Sequence, residues 1–267
     1  MEEHAVNVQV GDIAIGYSIH GAGQPAVFVH GLAEDRHHWD PVAGRLRGWQ
    51  MFALDFRGHG ETTLGRADAT LAQLGGDLSG FLEAVTGPAP CVGFSLGGCI
   101  VMQAAALRPD LIPHCVIVGS SSIVGSRVAA FFEQRIDTAL QDMPRFRVDL
   151  RQDSAGQIAS AQAKLDAITA RRVAAVGEGR GYVNAARAMV GMHHTPLTPL
   201  LGQIRCRADV VGGSQDAVCP RKAQDIIMAA LPHGVYHEIP GVGHLMGEDN
   251  AEAYRQMLQS TLDAGRA

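Results

Sequence analysis

Apolar and polar positions change their period several times along the chain, and the changes mark out its elements. Residues 6–10 and 13–19 alternate on either side of Gly11-Asp12, the pattern of an antiparallel pair joined by a tight turn. Residues 26–30 (AVFVH) are continuously apolar and stop at Gly31, which predicts a strand buried on both faces. Further strands are predicted over 51–56, 91–94 and 114–119. Between them, 39–47 reads as a short helix, 71–85 as a longer one, and 97–107 as a helix stopped by Pro109. Strands separated by helix-length crossovers predict an α/β fold with a mostly parallel central sheet and helices on both faces.

That rhythm breaks in the middle. From about 123 to 197 no strand is evident, whereas Phe131, Phe132, Ile136 and Leu140 recur at helical spacing and Ile158, Leu165 and Ile168 begin a second apolar face. Residues 123–197 are therefore expected to form a helical cap on a core made of 1–122 and 198–267. The strand pattern resumes at 208–212 (ADVVG), followed by a helix over 221–231, a strand over 236–239 and a last helix over about 250–262.

Composition narrows the classes. With 46% hydrophobic and 18% charged residues the chain can bury a substantial core. A formal net charge of −5, with no stripe of Lys and Arg, argues against a nucleic-acid partner. Cys91, Cys99, Cys115, Cys206 and Cys219 show no C-x-x-C pair, so buried thiols in a reducing compartment are expected rather than zinc or disulfides. The start, Met1-Glu2-Glu3-His4, lacks the basic-then-apolar layout of a secretory leader, and no apolar run approaches the ~20 residues of a membrane helix. A cytoplasmic protein without membrane association is expected.

The chemistry concentrates at one pattern. Ser95 lies in Gly93-Phe94-Ser95-Leu96-Gly97, the G-x-S-x-G sequence, with a predicted strand before it and an Ala-rich helix after it. Such a turn holds the serine in a strained conformation that exposes its hydroxyl, and the flanking positions must be small because other backbone passes close by. Of the 12 histidines, only His244 sits in a Gly-rich turn (Gly241-Val242-Gly243-His244) just after a late strand. Asp216, in Gly213-Ser214-Gln215-Asp216, follows the strand at 208–212. Glu34, Asp35, His37 and His38 are too close together on one loop to converge on a metal, and G-x-G-x-x-G is absent after the first strand, so no metal and no cofactor are expected.

These stations, together with His30-Gly31 and Asp55-Phe56-Arg57-Gly58-His59-Gly60, resemble the α/β-hydrolase family over nearly the whole chain, in that family's order of Ser, then Asp, then His. The resemblance implies Ser95 as nucleophile, His244 as base and Asp216 as the acid behind it. It also implies an oxyanion hole from the backbone N–H groups of Leu32 and Leu96. Asp55 and Arg57 would stabilise turns, and Trp39 would pack under the oxyanion loop. The layout is closest to small bacterial esterases and lactonases of the 3-oxoadipate enol-lactonase type. Carbon–carbon bond or amide hydrolases, cofactor-free perhydrolases and small-ligand signalling receptors share the scaffold and stay open as alternatives. With apolar residues (Leu32, Phe94, Leu96, Leu245, Met246) flanking the stations, a small and mostly uncharged ester or lactone is expected, with Arg127, Arg135 and Arg187 as the cap cations able to change that.

Overall fold

The computed structural model describes residues 5–160 and 162–266; the acidic start, Met1 to His4, lies outside the described residues. Eight strands form one sheet: β1 (Ala5–Val10), β2 (Ile13–Gly21), β3 (Gln24–Val29), β4 (Trp49–Leu54), β5 (Cys91–Phe94), β6 (His114–Val118), β7 (Arg207–Gly213) and β8 (Gly234–Ile239). Their spatial order is β1-β2-β4-β3-β5-β6-β7-β8. β1 and β2 run antiparallel to each other, β2 runs antiparallel to β4, and every later pairing is parallel. The predicted lead-in pair and the parallel sheet are both present.

The continuous apolar runs are explained by cover on both faces. Val27 and Val29 of β3 pack into one core, whereas Ala26 and Phe28 pack into a second. The first core receives Leu74 and Leu78 of α1 (Leu71–Phe81) and Ile100 of α2 (Leu96–Leu107). Across the sheet, the second receives Trp39 and, from the C-terminal helix, Tyr254, Leu258 and Leu262. Those three sit at i, i+4 and i+8, one face of a helix, and burying each contributes roughly 1.5–3 kcal/mol.

The sequence-predicted boundaries shift at several points. The helix expected over 39–47 is one 3-10 turn, Arg36–Trp39, whose start is capped by Asp35 accepting from the His37 N–H. Trp39, Val42 and Leu46 are buried at near-helical spacing, but Pro41 and Gly44 interrupt them and the segment runs through turns. β4 ends at Leu54, leaving Asp55 and Phe56 in the following turn.

Between β6 and β7 stand four helices: α3 (Ser126–Gln141), α4 (Met143–Ala155), α5 (Leu165–Val176) and α6 (Arg180–His194). The buried positions of α3 are Ala129, Ile136 and Ala139, while Leu140, expected on that face, is 58% exposed. Ile158 is buried in the connection before α5 rather than in a helix. The chain ends with α7 (Arg221–Ala230), the one-turn α8 (Met246–Asp249) and α9 (Ala251–Ala264). No helix among the described residues is long and apolar enough to cross a membrane.

Candidate active site

The strand order reverses between β3 and β5. In a parallel sheet, the loops leaving the carboxyl ends of two such strands part and open a crevice. Leu32 follows β3 and Ser95 follows β5, so these two residues border that crevice. Asp216 and His244 arrive on the loops after β7 and β8.

Ser95 occupies the strained turn its flanks predict, with φ 52° and ψ −116°. A Cβ on Gly93 would come within 2.3 Å of the Gly97 carbonyl oxygen, and one on Gly97 within 2.2 Å of the Val29 carbonyl oxygen. No larger residue fits at either place. The turn is fixed by the Ser95 N–H donating to the Val118 carbonyl at 2.8 Å and by the Ser120 hydroxyl donating to the Ser95 carbonyl at 2.8 Å.

The structure brings the three predicted side chains into one chain of hydrogen bonds. His244 Nε2 lies 3.1 Å from Ser95 Oγ, and His244 Nδ1 lies 2.8 Å from Asp216 Oδ2. With Nδ1 protonated and donating to Asp216, Nε2 is free to accept from the serine hydroxyl. The other Asp216 oxygen accepts from the N–H groups of Val218 and Cys219, each at 2.8 Å. Burial alone would raise the Asp216 pKa, but His244 and those N–H groups outweigh it and hold the carboxyl below its ordinary range. Such an arrangement can accept the serine proton and stabilise the imidazolium that results. Leu96 N–H opens α2, where a helix has no internal acceptor for it.

Other predicted roles divide. Asp55 accepts from the Arg36 N–H and guanidinium, each at 2.6 Å, and from the Glu61 N–H at 3.0 Å. Arg57 donates to Asp77 and Asp12 and to the carbonyls of Leu64 and Arg66, so both side chains pin turns. Burial pushes His30 down to about 3; its Nδ1 lies 2.8 Å from the Gly31 carbonyl and its Nε2 accepts from the Phe56 N–H at 3.2 Å. It is a neutral brace for two loops. Trp39 packs edge-on to Phe28 with centroids 5.0 Å apart, in the core behind the loop that carries Leu32. No group of three or more His, Cys, Asp or Glu side chains converges as a metal site among the described residues.

A cavity of about 370 Å³ opens over Ser95 and His244, within the size range of small-ligand sites. Its apolar wall includes Leu32, Phe131, Phe132, Leu150 and Met189, so the helices between β6 and β7 form its roof. The expected cap cations are not on it. Arg135 is held by Asp149 at 3.0 Å and Asp153 at 2.8 Å, Arg187 borders a different groove, and Arg127 does not line the cavity.

The cation that reaches the cavity is Arg172 of α5. It is 7% exposed and donates to Ser154 Oγ at 2.9 Å, Gln157 Oε1 at 3.3 Å and the Leu32 carbonyl at 3.4 Å. Its Nε finds no acceptor, and no carboxylate stands within 4.0 Å of it among the described residues. The signal was present in the periodicity: Ile168, Arg172, Ala175 and Val176 share one buried helical face.

Glu34, one of the close-set loop residues that are not expected to converge on a metal, also stands on the cavity wall. It is buried, accepts from the Gly31 N–H at 3.3 Å and pairs with His38 Nδ1 at 3.0 Å. Burial alone would raise its pKa, but the His38 ring and the Arg172 charge outweigh it and carry the carboxyl down to about 2. A folded value below the unfolded one stabilises the fold above the unfolded pKa of about 4.5 and loses that contribution as pH falls toward 2. Glu34→Gln is therefore expected to lower Tm at pH 7, with the gap to the wild type closing below about pH 4.5. Thermal melts across pH check this; an equal gap at pH 3 would show that the charge is not its source.

The chain is 26% identical to the dihydrolipoyllysine-residue acetyltransferase component of an acetoin cleaving system from Cupriavidus necator, over 98% of this chain and 70% of that one. It is 25% identical to an (E)-2-((N-methylformamido)methylene)succinate hydrolase from Acinetobacter baylyi, over 92% of this chain and 93% of that one. Among solved structures, the enol-lactonase from Burkholderia xenovorans LB400 superposes with a TM-score of 0.86 at 20% identity, covering 97% of this chain and all (100%) of that one. The sequence pattern of the alpha/beta hydrolase fold matches residues 25–251, and the chain belongs to that family.

Proposed function

We propose that the protein hydrolyses a small carboxylic ester or lactone through an acyl-Ser95 intermediate, and that its substrate carries a carboxylate. The observation that carries the chemistry is the unbroken Ser95–His244–Asp216 hydrogen-bond chain opening onto the cavity. His244 Nε2 takes the Ser95 proton as Oγ attacks the carbonyl carbon. The N–H groups of Leu32 and Leu96 stabilise the oxyanion, a role that needs only backbone. Collapse breaks the bond to the leaving oxygen, which takes the proton from His244. Water, deprotonated by the same imidazole, then releases the acid and frees Ser95. The helices over the cavity act as a cap that closes around a small molecule.

Arg172 supports a carboxylate on the substrate, in place of the mostly uncharged ester or lactone expected from the sequence. The Arg172 guanidinium hydrogen-bonds only to neutral oxygens, and the Glu34 carboxylate, which feels its charge, makes no direct ion pair with it, so an anion in the cavity would add the charged hydrogen bond it lacks. The succinate-based name of one relative agrees with this choice.

The test is a set of matched esters and lactones with and without a carboxylate. The carboxylate-bearing member should be preferred, and Arg172→Gln should cut that preference about 10- to 100-fold, the worth of a charged hydrogen bond of about 1.5–3 kcal/mol. The preference ratio is the proper readout, because Arg172 also holds Leu32. Preference for the neutral member overturns the carboxylate, and cleavage of a diketone with esters untouched overturns the ester.

A further inference from the structure

The loop carrying His244 is tied to the segment that connects α4 to α5 on both sides of the histidine, directly after it and through Asp249 of α8 before it. After the histidine, the Leu245 N–H donates to the Gln157 carbonyl at 2.9 Å. Before it, the Gly243 N–H donates to Asp249 Oδ2 at 2.7 Å. The same carboxylate accepts from the Ala159 N–H at 2.9 Å, the Ser160 N–H at 2.7 Å and the Ser160 hydroxyl at 3.2 Å. Gly243 is the closest point of approach: a Cβ there would come 2.8 Å from the Gln157 carbonyl oxygen and 3.1 Å from the Ala159 nitrogen.

A carboxylate suits this place because it is acceptor-only, and donors reach it from two separate stretches of chain. An amide would turn its NH₂ toward one set of them. Asp249 thus accepts at once from the residue just before His244 and from Ala159 and Ser160, which follow the cavity-lining Gln157.

We infer that Asp249 is a positioning residue for His244, locking the loop of the base to the 157–160 segment so that the cap sets the orientation of the imidazole. The inference rests on the proposed role of His244. It makes the cap part of the proton-transfer geometry as well as a selector of substrate. Loss of the lock should therefore act on the chemical step more than on binding.

The test compares wild type with Asp249→Ala, Asp249→Asn, Gly243→Ala and, as a destabilised control away from the cavity lining, Ile227→Val. The readouts are kcat and KM on p-nitrophenyl butyrate, the rate at which a fluorophosphonate modifies Ser95, and Tm. Asp249→Ala should lower kcat and the modification rate about 10- to 100-fold, the scale of a misplaced catalytic group, with KM within about threefold. Asp249→Asn, which keeps one acceptor oxygen, should recover part of the loss. Gly243→Ala, which pushes the two segments apart from the other side, should lower kcat in the same direction. Wild-type kcat in Asp249→Ala or, should that variant not fold, in Gly243→Ala overturns the inference. So does a kcat loss no larger than that of Ile227→Val at the same fall in Tm. Failure of the wild-type protein to react at Ser95 would overturn the site assignment itself and the inference with it.

Discussion

Ser95→Ala is expected to abolish both hydrolysis and fluorophosphonate labelling, with kcat falling on the order of 10⁶-fold. The hydroxyl sits on a turn that tolerates no Cβ at Gly93 or Gly97 and is 3.1 Å from the one ring nitrogen able to take its proton. Ser120, whose hydroxyl donates to the Ser95 carbonyl, is fully buried and already engaged, so it offers no substitute nucleophile. Alanine leaves the turn and its backbone hydrogen bonds in place, so Tm should stay close to wild type. Mass spectrometry of the labelled protein decides the matter, and modification at another serine with Ser95 intact would refute the assignment.

His244→Ala should be about as damaging as loss of the nucleophile, whereas Asp216→Asn should cost about 10⁴-fold in kcat and leave measurable turnover. The difference follows from geometry. In the proposed mechanism His244 moves the proton, while Asp216 acts through it from 2.8 Å away. An amide at position 216 can also present its NH₂ to His244 Nδ1, which stabilises the wrong tautomer and leaves Nε2 protonated. Single-turnover kinetics on an activated ester separates the two variants; a wild-type rate for Asp216→Asn would point to another acid.

What could be read from the chain beforehand was what local chemistry dictates. The apolar run at β3 has to be covered on both faces, and the glycines at Gly93 and Gly97 have to admit foreign backbone; both are so. Periodicity failed where breakers and polar faces intervene. Trp39, Val42 and Leu46 imitate a helix that Pro41 and Gly44 prevent. In α3 the buried stripe is built partly of alanines, so the bulky Phe131 and Leu140 drew attention to the wrong side. Phe131, 38% exposed, instead borders the cavity. Helical spacing could place Arg172 on a buried face, but what it and Asp249 do there depends on partners far along the chain: Leu32 for the one, Ala159 and Ser160 for the other. No spacing rule encodes such contacts.

The placement of β8 has a consequence for how activity arises during synthesis. It is an edge strand that pairs with β7 alone, and the loop it feeds carries a histidine 149 residues beyond the serine it serves. Contacts of such long sequence separation are costly to close and form late. Nearly all of the sheet can be in register while His244 is still missing from Ser95. Under the proposed mechanism, turnover on a fluorogenic ester would start only when β8 docks, which makes activity itself a clock for that step of folding.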